Sequence, residues 1–479
     1  MDLRAIGATV QIAKVANLDC IKMPKPASFP VYGDVPAKPA LDDLARLLND
    51  GLFNTEYIDA KSAAALLATG MQAYRQSSND PRWRISPILS RVATTIRPNL
   101  VCAALFDLLC NAEYVHGRVT NSKWIYCNRC RDGGTAEPHA YFSFLKQCPK
   151  CCQDRGLESR LSGAQHKPSS HHIGEITTTA TALVLSLICK SAPKPLEIGV
   201  IGKQSHDVDA VGWASDLLVL FEVKASPLVT FPVRTCLPAP FIEDSDSGPR
   251  EAAQHKLIDV TFQMHDLSLY LANLDIDIPL GRVSGPTWPY PELRNFVRDP
   301  QGLLTYLEAW VEVFFGYSVP KVQRQGREVV LGYLANGWGD EIDSNKTKAG
   351  LGRTDDIKKG TYQLLKFGAY YRDGSPVLPV RGTLLTNLDP LFMYADYMEK
   401  LIDARWAPAH KFNQVPERPD HQEVPDRDLF YLYDAVLAFN KPVINDPLLA
   451  KCFDFTALER TLHAGGLDPL LDTWGALLP

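Results

Sequence analysis

Long apolar runs are scarce in this chain, and that scarcity is the first constraint on what it can be. The two most apolar stretches, Leu100 to Cys110 and Ala180 to Cys189, fall short of the ~20 residues that a membrane-spanning helix requires. Both read as buried helices, and no membrane partner is expected. No basic segment followed by an apolar stretch opens the sequence, so no secretory leader is expected and the cytoplasm is the expected compartment. Catalytic signatures are missing too. There is no Gly-x-Ser-x-Gly elbow and no His-Glu-x-x-His helix, which leaves serine hydrolase and metalloprotease chemistry without an anchor. Ala349-Gly350-Leu351-Gly352-Arg353 has glycines but lacks the Lys-Ser/Thr of a phosphate loop, and reads as a turn. An excess of positive charge is absent as well: the formal net charge is −5, so any affinity for phosphate must come from local clusters of Lys and Arg.

What is present is the composition of a folded protein. The 479 residues suffice for two to four structural units, with 46% hydrophobic and 22% charged residues. One stretch, Lys123 to Lys167, carries Lys123, Arg129, Arg131, Lys146, Lys150, Arg155, Arg160 and Lys167 against fewer acids. It reads either as a phosphate-facing patch or as an ordinary solvated surface.

The 11 cysteines are unevenly placed, with five of them between Cys127 and Cys152. Cys127-x-x-Cys130 and Cys148-x-x-Cys151 are two knuckles separated by 17 residues, within the spacing of a structural zinc ribbon. Each knuckle converges two thiolates on one ion, and four complete a closed tetrahedron, so the expected Zn2+ is structural. Cys152 is left over. A redox dithiol pair and an iron–sulfur cluster are the alternatives for the same cysteines. The module can touch DNA or act as a staple. His166, His171 and His172 lie in a polar Ser-rich stretch and read as solvated.

Helical spacing dominates the first 120 residues, as in Leu41-Leu44-Leu47-Leu48, Ala63 to Ala73 and Leu100 to Cys110. The cysteine module follows at 121–165. Beyond it the pattern predicts a helix over Glu175 to Leu187, strands over Leu196 to Ile201, His206 to Val211 and Leu217 to Lys224, and a hairpin turn over Gly212 to Asp216. A large insertion is expected at about 227–354, with helical pieces such as Ala252 to Leu274. A helix over Asp356 to Tyr371 and a strand over Val380 to Asn387 close this 166–390 region. The tail, 391–479, is expected to be mostly helical.

Strand side chains alternate faces, so Asp207 and Asp209 share one face and Glu222 and Lys224 share another. These pairs can meet across the hairpin. The run Leu217-Leu218-Val219-Leu220-Phe221 reads as a strand covered on both sides, with Glu222 and Lys224 where it emerges. Carboxylates gathered there raise one another's pKa unless a cation is present. Oxygen-only ligands with water and a phosphate oxygen suit Mg2+.

At these residues the chain resembles the PD-(D/E)XK nuclease superfamily, which includes many type II restriction endonucleases. Asp209 matches the first acid and Glu222-Val223-Lys224 the acid-x-Lys triplet; Val208 stands where the family commonly has proline. The resemblance implies an α/β fold with a restriction-endonuclease-like central mixed sheet flanked by helices. It implies catalysis by Asp209, Glu222 and Lys224, with Asp209 and Glu222 holding Mg2+ and Glu175 on the preceding helix adding to the site. The helix bearing Lys359, Gln363 and Lys366 looks like the one that contacts phosphate in that family. Double-stranded DNA is then the substrate, and a homodimer is expected by analogy. Arg234, Arg324, Arg327 and Arg353 are candidates for reading guanine edges. The alternatives are a repair or recombination nuclease that reads DNA structure, or a non-catalytic zinc-ribbon DNA-binding protein.

Overall fold

The computed structural model describes residues 58–116, 119, 124–127, 139–142, 149, 170–190, 192–200, 208–214, 216–237, 255–258, 265–271, 276–318, 349–371, 379–390, 394–407 and 429–454. In chain order the main elements are α1 (Ala60–Ser77), α2 (Arg97–His116), β1 (Trp124–Cys127), β2 (His139–Phe142), α3 (Ser170–Lys190), β3 (Glu197–Val200), β4 (Ala210–Ala214) and β5 (Leu217–Val223). They continue with β6 (Val233–Cys236), β7 (His255–Ile258), β8 (Leu267–Leu271), β9 (Ile276–Gly281), α4 (Tyr290–Arg298), α5 (Pro300–Tyr317) and α6 (Thr354–Tyr371). The last are β10 (Val380–Thr386), β11 (Arg405–Trp406), β12 (Phe430–Tyr431), β13 (Ala435–Ala438) and β14 (Val443–Ile444). The fold class is α/β, with one mixed and one antiparallel sheet of six strands each.

The chain packs into two compact units. One contains Thr178–Ala225 and the described residues from Gly350 onward; the other contains the described residues up to Thr177 together with Ser226–Ala349. The stretch read as an insertion therefore shares a unit with the helices of the first part.

The first unit is built on the mixed sheet, in the order β14-β13-β10-β5-β4-β3. β5 is central, antiparallel to β4 and parallel to β10. All seven of its residues are buried, which explains its uninterrupted apolar run. Leu218 and Leu220 point to the face covered by α6, where they join Ile357, Leu364, Phe367, Val380 and Leu384 in one core cluster. Burying one such side chain stabilises by about 2 kcal/mol. Phe221, of opposite parity, meets the Phe453 ring edge-on at 6.2 Å. Gly360 lets α6 settle close to the sheet, since a Cβ there would lie 2.8 Å from Leu384.

The other unit pairs its helices with the antiparallel sheet β7-β1-β2-β6-β8-β9. α1 starts at Asp59, whose carboxylate accepts the Ser62 N–H at 3.2 Å, and α5 starts at Asp299, which accepts from Gln301 and Gly302. Both are side-chain caps on otherwise orphaned amides. α2 is buried along almost its whole length, including Asp107, Asn111 and Glu113. Asn111 accepts the Phe231 N–H at 2.8 Å and donates to the Val229 carbonyl at 2.9 Å, tying the segment before β6 to the helix.

Three expectations are corrected. Gly212 to Ala214 belong to β4, so the turn does not begin at Gly212; glycine marks close packing here, because a Cβ on Gly212 would sit 3.0 Å from Ile198 and from the Phe221 ring. Ala252 to Leu274 supplies β7 and β8 in place of helix. The tail, among its described residues, is built from β11 to β14 with only single helical turns. A short apolar run such as Ala435-Val436-Leu437-Ala438 suits a buried helix or a buried strand equally, and pairing with β10 makes it a strand. α3 is long and apolar enough to cross a membrane by composition, but 72% of that stretch is buried within the protein.

Candidate active site

The site lies where β4 and β5 run past one another at the end of the sheet. Asp209 stands one residue ahead of β4, and its N–H donates to the Phe221 carbonyl at 3.1 Å. The ladder that pairs Ala210 with Phe221 thereby extends by one step and sets Asp209 opposite Glu222, on the same face. On β5 that face runs Leu218, Leu220, Glu222: apolar under α6, then acidic where the helix cover ends. Lys224 continues the same parity, its N–H donating to the Leu385 carbonyl of the β10 segment at 2.9 Å.

Three expected side chains come together here. The Lys224 ammonium contacts Glu222 Oε1 directly and lies 3.9 Å from Asp209 Oδ2. Asp209 Oδ2 also accepts the Val223 N–H at 2.7 Å. Glu222 is nearly enclosed, with 5% of its side chain exposed, while Asp209 keeps 31% and Lys224 23%. The cluster is anchored on one side and open on the other.

The electrostatics follow from that geometry. Burial raises the Asp209 carboxyl above its ordinary value, opposed by the charge of Lys224 and the Val223 N–H. Burial alone would lower Lys224, but Glu222 and then Asp209 outweigh it, so its pKa is raised and it stays protonated. The ammonium stands where two negative groups would otherwise repel.

Asp356 is a member of this neighbourhood that sequence reasoning did not single out. It sits in the first turn of α6; burial raises its carboxyl, while Arg353, Lys224 and Lys359 pull it down. Arg353 approaches it at 3.6 Å. The available signal was positional, because Asp356, Lys359, Gln363 and Lys366 fall at i, i+3, i+7 and i+10, one stripe of a helix. Lys359 is exposed, Lys366 half-buried, and Gln363 has a buried Oε1 without a hydrogen-bond partner.

The remaining expected residues belong to other elements. Glu175 belongs to the second unit and lies 3.7 Å from His171. Arg234, also there, is paired with Asp277 and lies 3.9 Å over the Tyr270 ring. Cys127 closes β1. Asp207, Cys130, Cys148, Cys151, Arg324 and Arg327 lie outside the described residues. Among the described residues no group of three or more His, Cys, Asp or Glu is arranged to hold a metal ion.

No protein-family model, no characterised protein and no solved structure matches this chain.

Proposed function

We propose that this protein is a Mg2+-dependent endonuclease that hydrolyses phosphodiester bonds of double-stranded DNA, in the manner of a sequence-specific type II restriction enzyme with a restriction-endonuclease-like core. The observation that carries the reading is the convergence of Asp209 and Glu222, from two strands, on the single ammonium of Lys224. A pair of carboxylates with open space on one side is a donor set that suits a hard divalent ion, which would complete its shell with water and a phosphate oxygen.

Asp209 and Glu222 would hold that ion. When bound, it supplies Lewis-acid polarisation of the phosphate and an acidified water. The protein's own part is positional. The Val223 N–H fixes one Asp209 oxygen, so the carboxylate presents its other oxygen outward. Lys224, released from its carboxylate partners by a bound cation, is placed to orient the attacking water or to neutralise charge growing on phosphorus. The stripe of Lys359, Gln363 and Lys366 would follow the DNA backbone, with the two ammonium groups and the Gln363 side-chain NH2 as the donors to phosphate oxygens. Four thiolates of Cys127, Cys130, Cys148 and Cys151 would hold a structural Zn2+. Two-fold palindromic sites call for a homodimer.

Incubation of the purified protein with plasmid and phage DNA tests this directly. Discrete fragments formed with Mg2+ and abolished by chelation are expected, and Glu222→Ala should yield none. Smearing, or cutting of branched DNA alone, would turn the reading to a structure-specific nuclease. No cleavage of any of these substrates would reject it.

A further inference from the structure

The unit that lacks Asp209, Glu222 and Lys224 carries a ribbon of arginines on its surface. Residues 81–98 hold Arg82, Arg84, Arg91 and Arg97 and no acid, in a chain whose formal net charge is −5. The segment passes through one helical turn, Arg82–Ile85, and two 3-10 turns, Leu89–Arg91 and Thr94–Ile96. Every third side chain from Trp83 is buried: Trp83, Ser86, Leu89 and Val92. Arg84, Ile85 and Arg91, between them, are exposed. Three residues is the period of a 3-10 turn, so one row anchors the ribbon and the other positions face solvent. Ser86 reinforces the anchor, its hydroxyl oxygen accepting the Leu89 N–H at 3.2 Å.

Two of the guanidinium groups are held flat against rings. Arg91 lies 4.0 Å over Phe315 and Arg97 4.5 Å over Trp83. A guanidinium held through its face keeps its N–H donors in its plane, in the fork that matches a phosphate. Asp80 and Glu308 also touch the ribbon, but Asp80 accepts the Arg82 backbone N–H at 2.7 Å and Glu308 the Ser86 hydroxyl. Beside Arg84, Ile85 is 74% exposed, the most exposed large hydrophobic side chain among the described residues.

We propose that this ribbon is a docking surface for double-stranded DNA, with Arg84, Arg91 and Arg97 meeting phosphates and Ile85 packing into the minor groove. The choice of partner rests on the endonuclease reading; the charge and exposure of the ribbon do not. Cationic side chains around one protruding aliphatic group suit the minor groove, where an apolar wedge is inserted between base steps. A membrane surface fits less well, because interfacial anchoring uses a helix with a continuous apolar face. Here the helical turn has four residues, and its Trp83 is turned into the core.

The test is binding of the full chain to a fluorescent duplex in EDTA, so that no cleavage intervenes, measured by anisotropy over a range of salt concentrations. Wild type and Glu222→Ala should bind alike. Arg84→Ala should lower the slope of log affinity against log salt by about 1, and Arg84→Ala/Arg91→Ala by about 2 with roughly ten-fold weaker binding. Ile85→Ser should weaken binding several-fold at unchanged slope, since an apolar contact releases no counterion. Arg84 and Ile85 are exposed, so their variants should fold as wild type, checked by circular dichroism. Unchanged affinity and slope in the double variant would overturn the proposal, as would binding to phosphatidylserine vesicles with none to the duplex. Arginine-dependent binding without cleavage in Mg2+ would reject the endonuclease reading and leave this surface standing; cleavage with binding indifferent to the arginines would do the reverse.

Discussion

Asp209 of the mixed sheet and Asp107 of α2 are both acids held within the protein, yet their surroundings give them opposite tasks. Asp107 is wholly buried, and burial pushes its carboxyl up to about 8 against the opposing hydrogen bonds from Trp310 and Val229. Its Oδ2 accepts the Trp310 indole N–H at 2.8 Å and the Val229 N–H at 3.0 Å. Glu113, further along the same helix, is raised to about 7 by burial and contacts the Tyr290 hydroxyl. These are proton-bearing acids used as internal fasteners. Asp209 is also raised by burial, but Lys224 opposes the rise and about a third of its side chain faces solvent. Depth without a cation makes an acid structural; a cation partner and an open side leave it available for chemistry.

Exchanging carboxylate for amide in each region gives the largest contrast. Asp209→Asn or Lys224→Ala should lower DNA cleavage by at least ~10³-fold, a barrier rise of about 4 kcal/mol, with the circular dichroism spectrum unchanged. Asp107→Asn should leave the cleavage rate within about two-fold of wild type, since it retains an acceptor oxygen for the Trp310 and Val229 N–H groups and its task is to hold them. Equal losses in both would erase the distinction.

Truncation should have the next largest effect. Asp107→Ala strands the Val229 and Trp310 N–H groups in the interior and should cost roughly 3 kcal/mol of stability, read as a lower urea midpoint. Asp209→Ala, at a half-open site, should cost much less.

The pH dependence sharpens the same contrast. The folded values of Asp107 and Glu113, about 8 and about 7, lie above the ordinary 3.8 and 4.5. The native state thus binds these protons more tightly than the unfolded chain. Their contribution is fully present below the ordinary carboxylate range, declines as pH climbs through it, and is lost once pH passes the folded values. Stability should therefore fall between about pH 4 and pH 8 by up to ~1.4 kcal/mol per unit for each carboxyl, and Asp107→Asn should flatten that slope. Thermal unfolding across this range checks it.

The smallest expected effect is at the helix stripe. Lys366→Ala should weaken DNA binding several-fold and reduce the slope of log affinity against log salt by about 1, the signature of one lost phosphate contact. An unchanged slope would remove α6 from the DNA interface.

Much of the first unit was legible beforehand. Two-residue alternation placed Glu222 and Lys224 on one face, the apolar run marked β5 as doubly covered, and helical spacing found α6. The hairpin turn was misplaced because glycine usually marks a bend, whereas Gly212 is in the strand to make room for Phe221 and Ile198. The other unit was far less readable. Its strands come from widely separated segments, so β1 pairs with β7 and β2 with β6, and nothing in a local window reports such partners. Asp107 lies within the apolar stretch Leu100 to Cys110, and its role depends on Trp310 and Val229, more than a hundred residues away.

Local chemistry settled the alternation of faces, the helix periods, the caps and the identities of the acids and the lysine, because each of these depends on neighbours within a few residues along the chain. Convergence of Asp209 with Glu222, the place of Asp356 beside Lys224, the strand character of the described part of the tail, and the pairing of β2 with β6 were decided by pairing between distant segments. Backbone hydrogen-bond registers couple residues that share no sequence window, and one step of register moves a side chain to the opposite face.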